Sequence, residues 1–257
     1  MTAAAGQLGS GLLIVNGDDL GGNPLATDRI LTGFCARVLT SATAMVHMAD
    51  SARAAVLARE ARLPTGLHLN FTQDYDDPAV PAPVAARQRR VTAFMADPRA
   101  RRMGFSPALL PVIRHVLADQ LAAFRRLFGT EPTHLDGHNP AHLNPTALLA
   151  LPGRIACRPA YRDPTRPTLG RLPLAIRDRL LSARRPVPDH FFALAGIHPE
   201  LGGEGLARAL GLARSSTVEI MAHPDREATD AVLHSVAWAT DLAGLRLGTY
   251  ADLPRRR

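Results

Sequence analysis

The chain has 257 residues, 46% of them hydrophobic, a mean hydropathy close to zero and a formal net charge of +7. It can bury a substantial core, and no run of about eighteen apolar residues is present, which excludes a spanning helix. There is no lysine, so all 30 basic side chains are arginines; "ARQRR" (86–90), "RARR" (99–102) and the terminal "PRRR" read as loops or ends with few aromatics near them, which argues against nucleic-acid binding.

In chain order, the first stretch, "MTAAAGQLGSGLLIVNGDD", lacks the basic start and long apolar block of a signal peptide and points to a cytoplasmic protein. "GLLIVN" (11–16) reads as a buried parallel strand. Asn23 then has the character of an N-cap and Pro24 of a first helical residue. "LATDRILTGFCARVL" follows as a helix, with Ile30, Leu31, Phe34 and Val38 on one stripe. "SATAMVH" (41–47) is a second strand, "SARAAVLAREA" (51–61) a second helix and "TGLHLNFT" (65–72) a third strand. A long helix lies within 105–129 and closes at Gly129, and "THLDGH" (133–138) is a strand running into a loop. "GRIACRP" (153–159), "STVEIMAHPD" (216–225), a helix near 226–243 and "RLGTYADL" (246–253) complete the pattern.

Strands alternating with helices, without hairpin signals, predict an α/β sheet or barrel, and the length suits a TIM-like (β/α) barrel in one domain over 1–257. The Pro- and Arg-rich stretches 73–90 and 158–173 fit loops over one mouth. Cys35 and Cys157 lack metal-type spacing and read as reduced, packed thiols.

In such folds functional groups gather at the carboxyl ends of the strands. Side chains alternate along a strand, so His68 and Asn70 share one face of "GLHLNFT", and His134, Asp136 and His138 share one face of "THLDGH". His223 follows an apolar strand directly. Asp18 and Asp19 are adjacent and cannot both point inward from a regular strand, so they belong at or past the end of theirs. One Asp with two His would suit a divalent ion and leave a position open for water; a second carboxylate could take that water's proton, and a histidine opposite could protonate a leaving group. Each residue alone has a plainer reading: a hydrogen-bonded core histidine for His68, a solvated turn for "GDDLGG", ordinary surface for His142 and packing for His134. Their joint occurrence at strand ends is what points to chemistry.

The segments "NGDDLGGN", "TGLHLNFT", "THLDGHNPAH" and "VEIMAHPD", in this order, resemble the YdjC-type carbohydrate deacetylases, with weaker likeness in "CRPAYRDP" and "PDHFFALAG". The resemblance implies a distorted (β/α) barrel that removes N-acetyl groups from an amino sugar, oligosaccharide or glycoconjugate with one divalent ion, and suggests a homodimer. Carried over by residue, it implies Asp19, His68 and His138 as metal ligands, Asp18 as general base and His223 as general acid. Arg158 would orient Asp18 or meet substrate, and Asn70, Asp136 and His142 are further candidate substrate contacts. The Asp-His-His set favours zinc over magnesium, which prefers oxygen. The family's usual middle histidine is Pro140 here, which points to shifted specificity if that position meets substrate and to a damaged site if it holds metal. Two alternatives stay open: a metal-dependent phosphoesterase or other amidohydrolase, and a non-catalytic sugar-binding relative.

Overall fold

The computed structural model describes residues 11–160 and 168–253, with backbone alone over 168–174. The chain runs β1 (Leu12–Leu20), α1 (Pro24–Cys35), β2 (Ser41–Ala44), α2 (Ser51–Glu60) and β3 (Thr65–Leu69). Three helices follow, α3 (Ala82–Met95), α4 (Pro98–Met103) and α5 (Leu110–Phe128), before β4 (His134–Gly137). Next come α6 (Pro145–Ala150), β5 (Ala156–Cys157), α7 (Thr168–Ser182), β6 (His190–Ala193), α8 (Leu194–Ile197) and α9 (Leu206–Leu212). The order closes with β7 (Thr217–Ala222), α10 (Glu227–Leu233) and α11 (Val236–Leu242).

The strands form one sheet in the order β5-β4-β3-β2-β1-β7-β6, every pairing parallel. The sheet curls into a partial barrel wrapped by helices, the distorted (β/α) barrel expected from the sequence. Its open seam lies between β5 and β6. There the segment leading into β6 meets β5 through Arg154 N–H to Arg184 O (3.3 Å) and Cys157 N–H to Pro186 O (3.0 Å).

Local chemistry explains the elements. β1 is an interior strand of the sheet, between β2 and β7, with Leu12, Leu13, Ile14 and Val15 all buried, as a parallel strand covered on both faces requires. Asn23 caps α1, its Oδ1 accepting from Ala26 N–H at 2.9 Å, with Pro24 at the first helical position. α5 buries Val112, Ile113, Val116, Leu117, Leu121 and Phe124 along one face and stops at Gly129, whose φ of 73° glycine adopts without strain.

Several expectations need correction. The stretch near 226–243 is two helices, because Ser235 accepts from Trp238 N–H (3.1 Å) and starts α11 afresh. Residues 246–253 form no strand beyond a bridge from Leu13 to Leu247; a capping box at Thr249 and Asp252 turns them into a short 3₁₀ helix. The 73–90 stretch is a loop only to Pro81, and both "ARQRR" and "RARR" lie on helices, α3 and α4. In the other loop, 158–173, residues 161–167 lie outside the described residues, as do 1–10 and the terminal "PRRR", and α7 begins at Thr168. Cys157 is buried, and burial pushes its thiol up to about 12, whereas Cys35 is exposed rather than packed. Among the described residues no helix is long and apolar enough to cross a membrane.

Candidate functional site

Two adjacent carboxylates reach the same place because β1 bulges. Against β2, Gly17 pairs with Ala42 and Leu20 with Ala44, so three steps on β1 match two on its neighbour. Asp19 takes up the extra residue at φ 72°, a conformation Asp tolerates better than most side chains. Asp18 and Asp19 therefore lie inside β1, not past its end, and the bulge turns both inward.

Asp19 is the meeting point of three histidines. Its Oδ1 lies 3.1 Å from His68 Nε2 and 3.0 Å from His138 Nδ1, and its Oδ2 lies 3.6 Å from His223 Nε2. Ligand atoms of Asp19, His68 and His138 all fall within 4.8 Å of one another. Burial alone would raise the Asp19 carboxyl, but His138 and His68 beside it hold it well below the usual carboxylate range.

The donor set fits a divalent cation. The Nδ1 of His68 faces Asp136 Oδ1 at 2.7 Å. Burial disfavours a charge on the ring, but Asp136 and Asp19 beside it raise its pKa well above the usual value. A cation that displaces the Nε2 proton would meet a lone pair there while Nδ1 donates to Asp136. That Nε2 is buried and makes no hydrogen bond, although Asp19 Oδ1 is 3.1 Å away, so a buried polar atom stands without a partner within the Asp19, His68 and His138 group. A carboxylate behind a histidine is the usual outer support of a metal-ligating imidazole.

Asp18 faces a different partner. Arg158 donates to both its oxygens, Nη1 to Oδ2 at 2.7 Å and Nη2 to Oδ1 at 2.6 Å. The same Nη2 lies 2.8 Å from Asp136 Oδ2 and 2.8 Å from Glu219 Oε1, and Arg158 is 4% exposed. Tyr250 donates to the other oxygen of Glu219, and its ring stacks on His134 with centroids 3.7 Å apart. Thr43 Oγ1 ties the inner groups together, donating to Asp136 Oδ2 at 2.9 Å. Burial raises Glu219, with Arg158 opposing; Asp136, raised by burial too, is held low by Arg158 and His68. Asp18, His68 and Asp136 form a second group with metal-like spacing, but the Arg158 guanidinium already bonds both of its carboxylates.

A cavity of 680 Å³ opens over these residues. Asp18, Asp19, His68, His138 and His223 line it, with Arg158 and His142. Pro140 is on the wall too, and the Asp19, His68 and His138 group assembles without it. Asn70 and Asp136 are fully buried, off the lining. Asn70 Oδ1 accepts from Thr72 N–H (3.2 Å) and Gln73 N–H (2.9 Å), so it shapes the loop after β3. His142 packs on Gly137, with Nε2 3.2 Å from Arg158 O, and burial lowers its pKa to about 4. Thr43, Gln73, Glu219 and Tyr250 escaped the sequence reading. Only Glu219 left a trace there: a carboxylate inside the apolar strand "TVEIMA" requires a buried partner.

A parallel, partly closed α/β barrel with one aspartate and two histidines converging below a cavity defines a class of fold and site. The chain belongs to the YdjC-like protein family, whose model matches residues 12–251. A carbohydrate deacetylase of Homo sapiens is 37% identical over 142 residues, covering 52% of this chain and 42% of that protein, so the match spans less than half of the human relative. A chitooligosaccharide deacetylase of Klebsiella pneumoniae (strain 342) is 30% identical over 269 residues, covering 94% of this chain and 99% of its own. A crystal structure from Enterococcus faecalis V583, described as that of a cellobiose-phosphate cleavage protein, superposes with a TM-score of 0.67 at 20% identity, covering 94% of this chain and 98% of that one; at that identity it speaks for the fold.

Proposed function

We propose that the protein is a metal-dependent hydrolase that removes an N-acetyl group from an amino sugar, oligosaccharide or glycoconjugate. The observation that carries this reading is the placement of two carboxylates with separate partners at one cavity floor: Asp19 among His68, His138 and His223, and Asp18 on Arg158. The names of the human and Klebsiella relatives supply the substrate class.

In this reading Asp19, His68 and His138 hold one divalent ion, zinc before magnesium because two of the three donors are imidazoles. Such an ion, when bound, lowers the pKa of water from 15.7 to about 7 and polarises a carbonyl. Asp18 is the general base: the bidentate Arg158 contact fixes its plane, and Asn16 Nδ2 donates to Oδ1 at 2.9 Å. His223, across Asp19 and part-exposed to the cavity, gives a proton to the departing amine. Asp136 fixes the tautomer of His68, a positioning role. His142 and Arg158 border the cavity but are 1% and 4% exposed, and the Arg158 guanidinium is committed to Asp18, Asp136 and Glu219. In this reading both therefore act with Asn70 and Asp136 as supports of the wall, Arg158 orienting Asp18.

The phosphoesterase reading is weaker because many phosphate-cleaving sites clamp two ions, and here the Arg158 guanidinium takes up the second carboxylate group. A panel of N-acetylated and phosphorylated sugars, read for acetate and for phosphate, tests the choice. Acetate without phosphate is the expected result; phosphate release, or turnover that survives chelation, would overturn it.

A further inference from the structure

His138 meets the cavity floor through Nδ1, so its other nitrogen, Nε2, faces away from Asp19. That nitrogen is not left to solvent: the side-chain amide nitrogen of Gln73, Nε2, lies 2.9 Å from it, with the amide oxygen one half-turn of the group away. The loop carrying Gln73 is unusually well held. Gln120 accepts from Asn70 N–H (3.0 Å) and donates to Asn70 O (2.7 Å), and Gln88 Nε2 donates to Asn70 O (3.0 Å) and to Gln73 O (2.6 Å). With Asn70 Oδ1 accepting from the Thr72 and Gln73 amides, three fully buried side-chain amides, from β3's end, α3 and α5, fix the backbone of an exposed residue. Buried amide groups cost free energy unless they are hydrogen-bonded. Although Gln88 Oε1 has no partner among the described residues, these bonds of the three amides converge on the backbone of this one loop.

We propose that Gln73 is the positioning residue for His138: its amide oxygen accepts the Nε2 proton and so keeps Nδ1 unprotonated toward a bound cation. The inference rests on the ion site described above. His68 and His138 are then supported differently, one by the Asp136 carboxylate and the other by a neutral amide. A neutral support has a further property. With its nitrogen toward Nε2, the Gln73 amide donates, and Nδ1 carries the proton to Asp19. A half-turn of the amide exchanges nitrogen and oxygen in place and offers an acceptor instead. Gln73 thus serves both the ion-free and the ion-bound tautomer of His138, whereas a carboxylate would serve one alone.

The test is zinc calorimetry on chelator-stripped protein, comparing wild type, Gln73→Met, Gln73→Glu and Asn139→Asp. The last adds a negative charge at the same rim on a side chain that meets Thr72 Oγ1 (3.3 Å) instead of the His138 ring. Gln73 is exposed, so these variants leave the core untouched. Gln73→Met should weaken zinc by about 10- to 100-fold, the usual effect of removing an outer support. Gln73→Glu should bind zinc more tightly than Asn139→Asp, since it supplies the acceptor as well as the charge. In the zinc-loaded wild type, ring ¹⁵N spectra should place the His138 proton on Nε2, protected from exchange, and Gln73→Met should remove that protection. Wild-type affinity in Gln73→Met, weakening in Gln73→Glu equal to that in Gln73→Met, or a His138 proton on Nδ1 with zinc bound would each overturn the inference. A wild-type protein that binds no zinc would remove the ion site itself, and this inference with it.

Discussion

Asp18 and Asp19 are neighbours in sequence with different electrostatic surroundings, and the separation predicts different losses. Asp18→Asn keeps a hydrogen-bonding group beside Arg158 but removes the carboxylate proposed as the base. Turnover should fall by about 100- to 10,000-fold while calorimetric zinc affinity stays near wild type. Loss of zinc binding in that variant would show that the two carboxylates share one job. Arg158 joins Asp18, Asp136 and Glu219, so Arg158→Met removes a guanidinium that all three buried carboxylates share. Removing one partner of a buried ion pair costs about 3–5 kcal/mol, measurable by urea unfolding. His134 gives a prediction in pH. Burial lowers its pKa to about 3, so the folded protein keeps it neutral while the unfolded chain protonates it near 6.5. Its contribution to stability is therefore present above about pH 6.5 and is lost progressively as pH falls toward about 3. His134→Phe, which retains a ring against Tyr250, should flatten that part of the stability curve, whatever its effect at neutral pH. An unchanged slope would contradict the assignment.

At the scale of elements, the site depends on where strands stop and how tightly the next turn follows. A Cβ on Gly137 would come 2.8 Å from His142 Nδ1 and 2.9 Å from His142 N, so the turn after β4 closes over a glycine. Gly137→Ala should push that turn away, costing about 1–3 kcal/mol of stability, and should weaken zinc through displacement of His138. Zinc affinity and stability both equal to wild type would mean the turn adapts freely. The same elements show what the sequence could disclose. β1, β3, β4 and β7 are legible because their apolar runs are buried and end in polar residues. The bulge at Asp19 is not, since neither hydrophobic period nor turn chemistry marks one extra residue in a strand; two adjacent acids only hinted at it. β6 is short, its "HFFA" matching no period, and it stood out in the sequence only as part of a weak motif. α10 and α11 read as one helix because Ser235 interrupts the pattern by capping, not by breaking its period. The roles of Asn70 and Asp136 were obscured for a related reason: alternation places a side chain on a face but does not say whether that face opens on the cavity or on another side chain.

Over the whole molecule, seven parallel strands bring residues from β1, β3, β4, β5 and β7 to one end although they are spread from 18 to 223 in sequence. The interior beneath that end is an ionic core, from Asp18 through Arg158 and Glu219 to Tyr250 in the C-terminal turn. The segment 246–253 therefore belongs to the support of the site, although it lies far from the cavity in sequence and adds no strand. The long-range pairing of carboxylates with one arginine is what sequence spacing conceals: Arg158 follows Asp18 by 140 residues. The central claim joins this architecture to one ion and one reaction. The measurement that tests it most directly is acetate release from an N-acetylated chitooligosaccharide by chelator-stripped protein, followed as zinc is added back. The account predicts no release from the stripped protein and recovery that saturates at one equivalent. Release undiminished by stripping would contradict it, as would an absence of acetate at every zinc level.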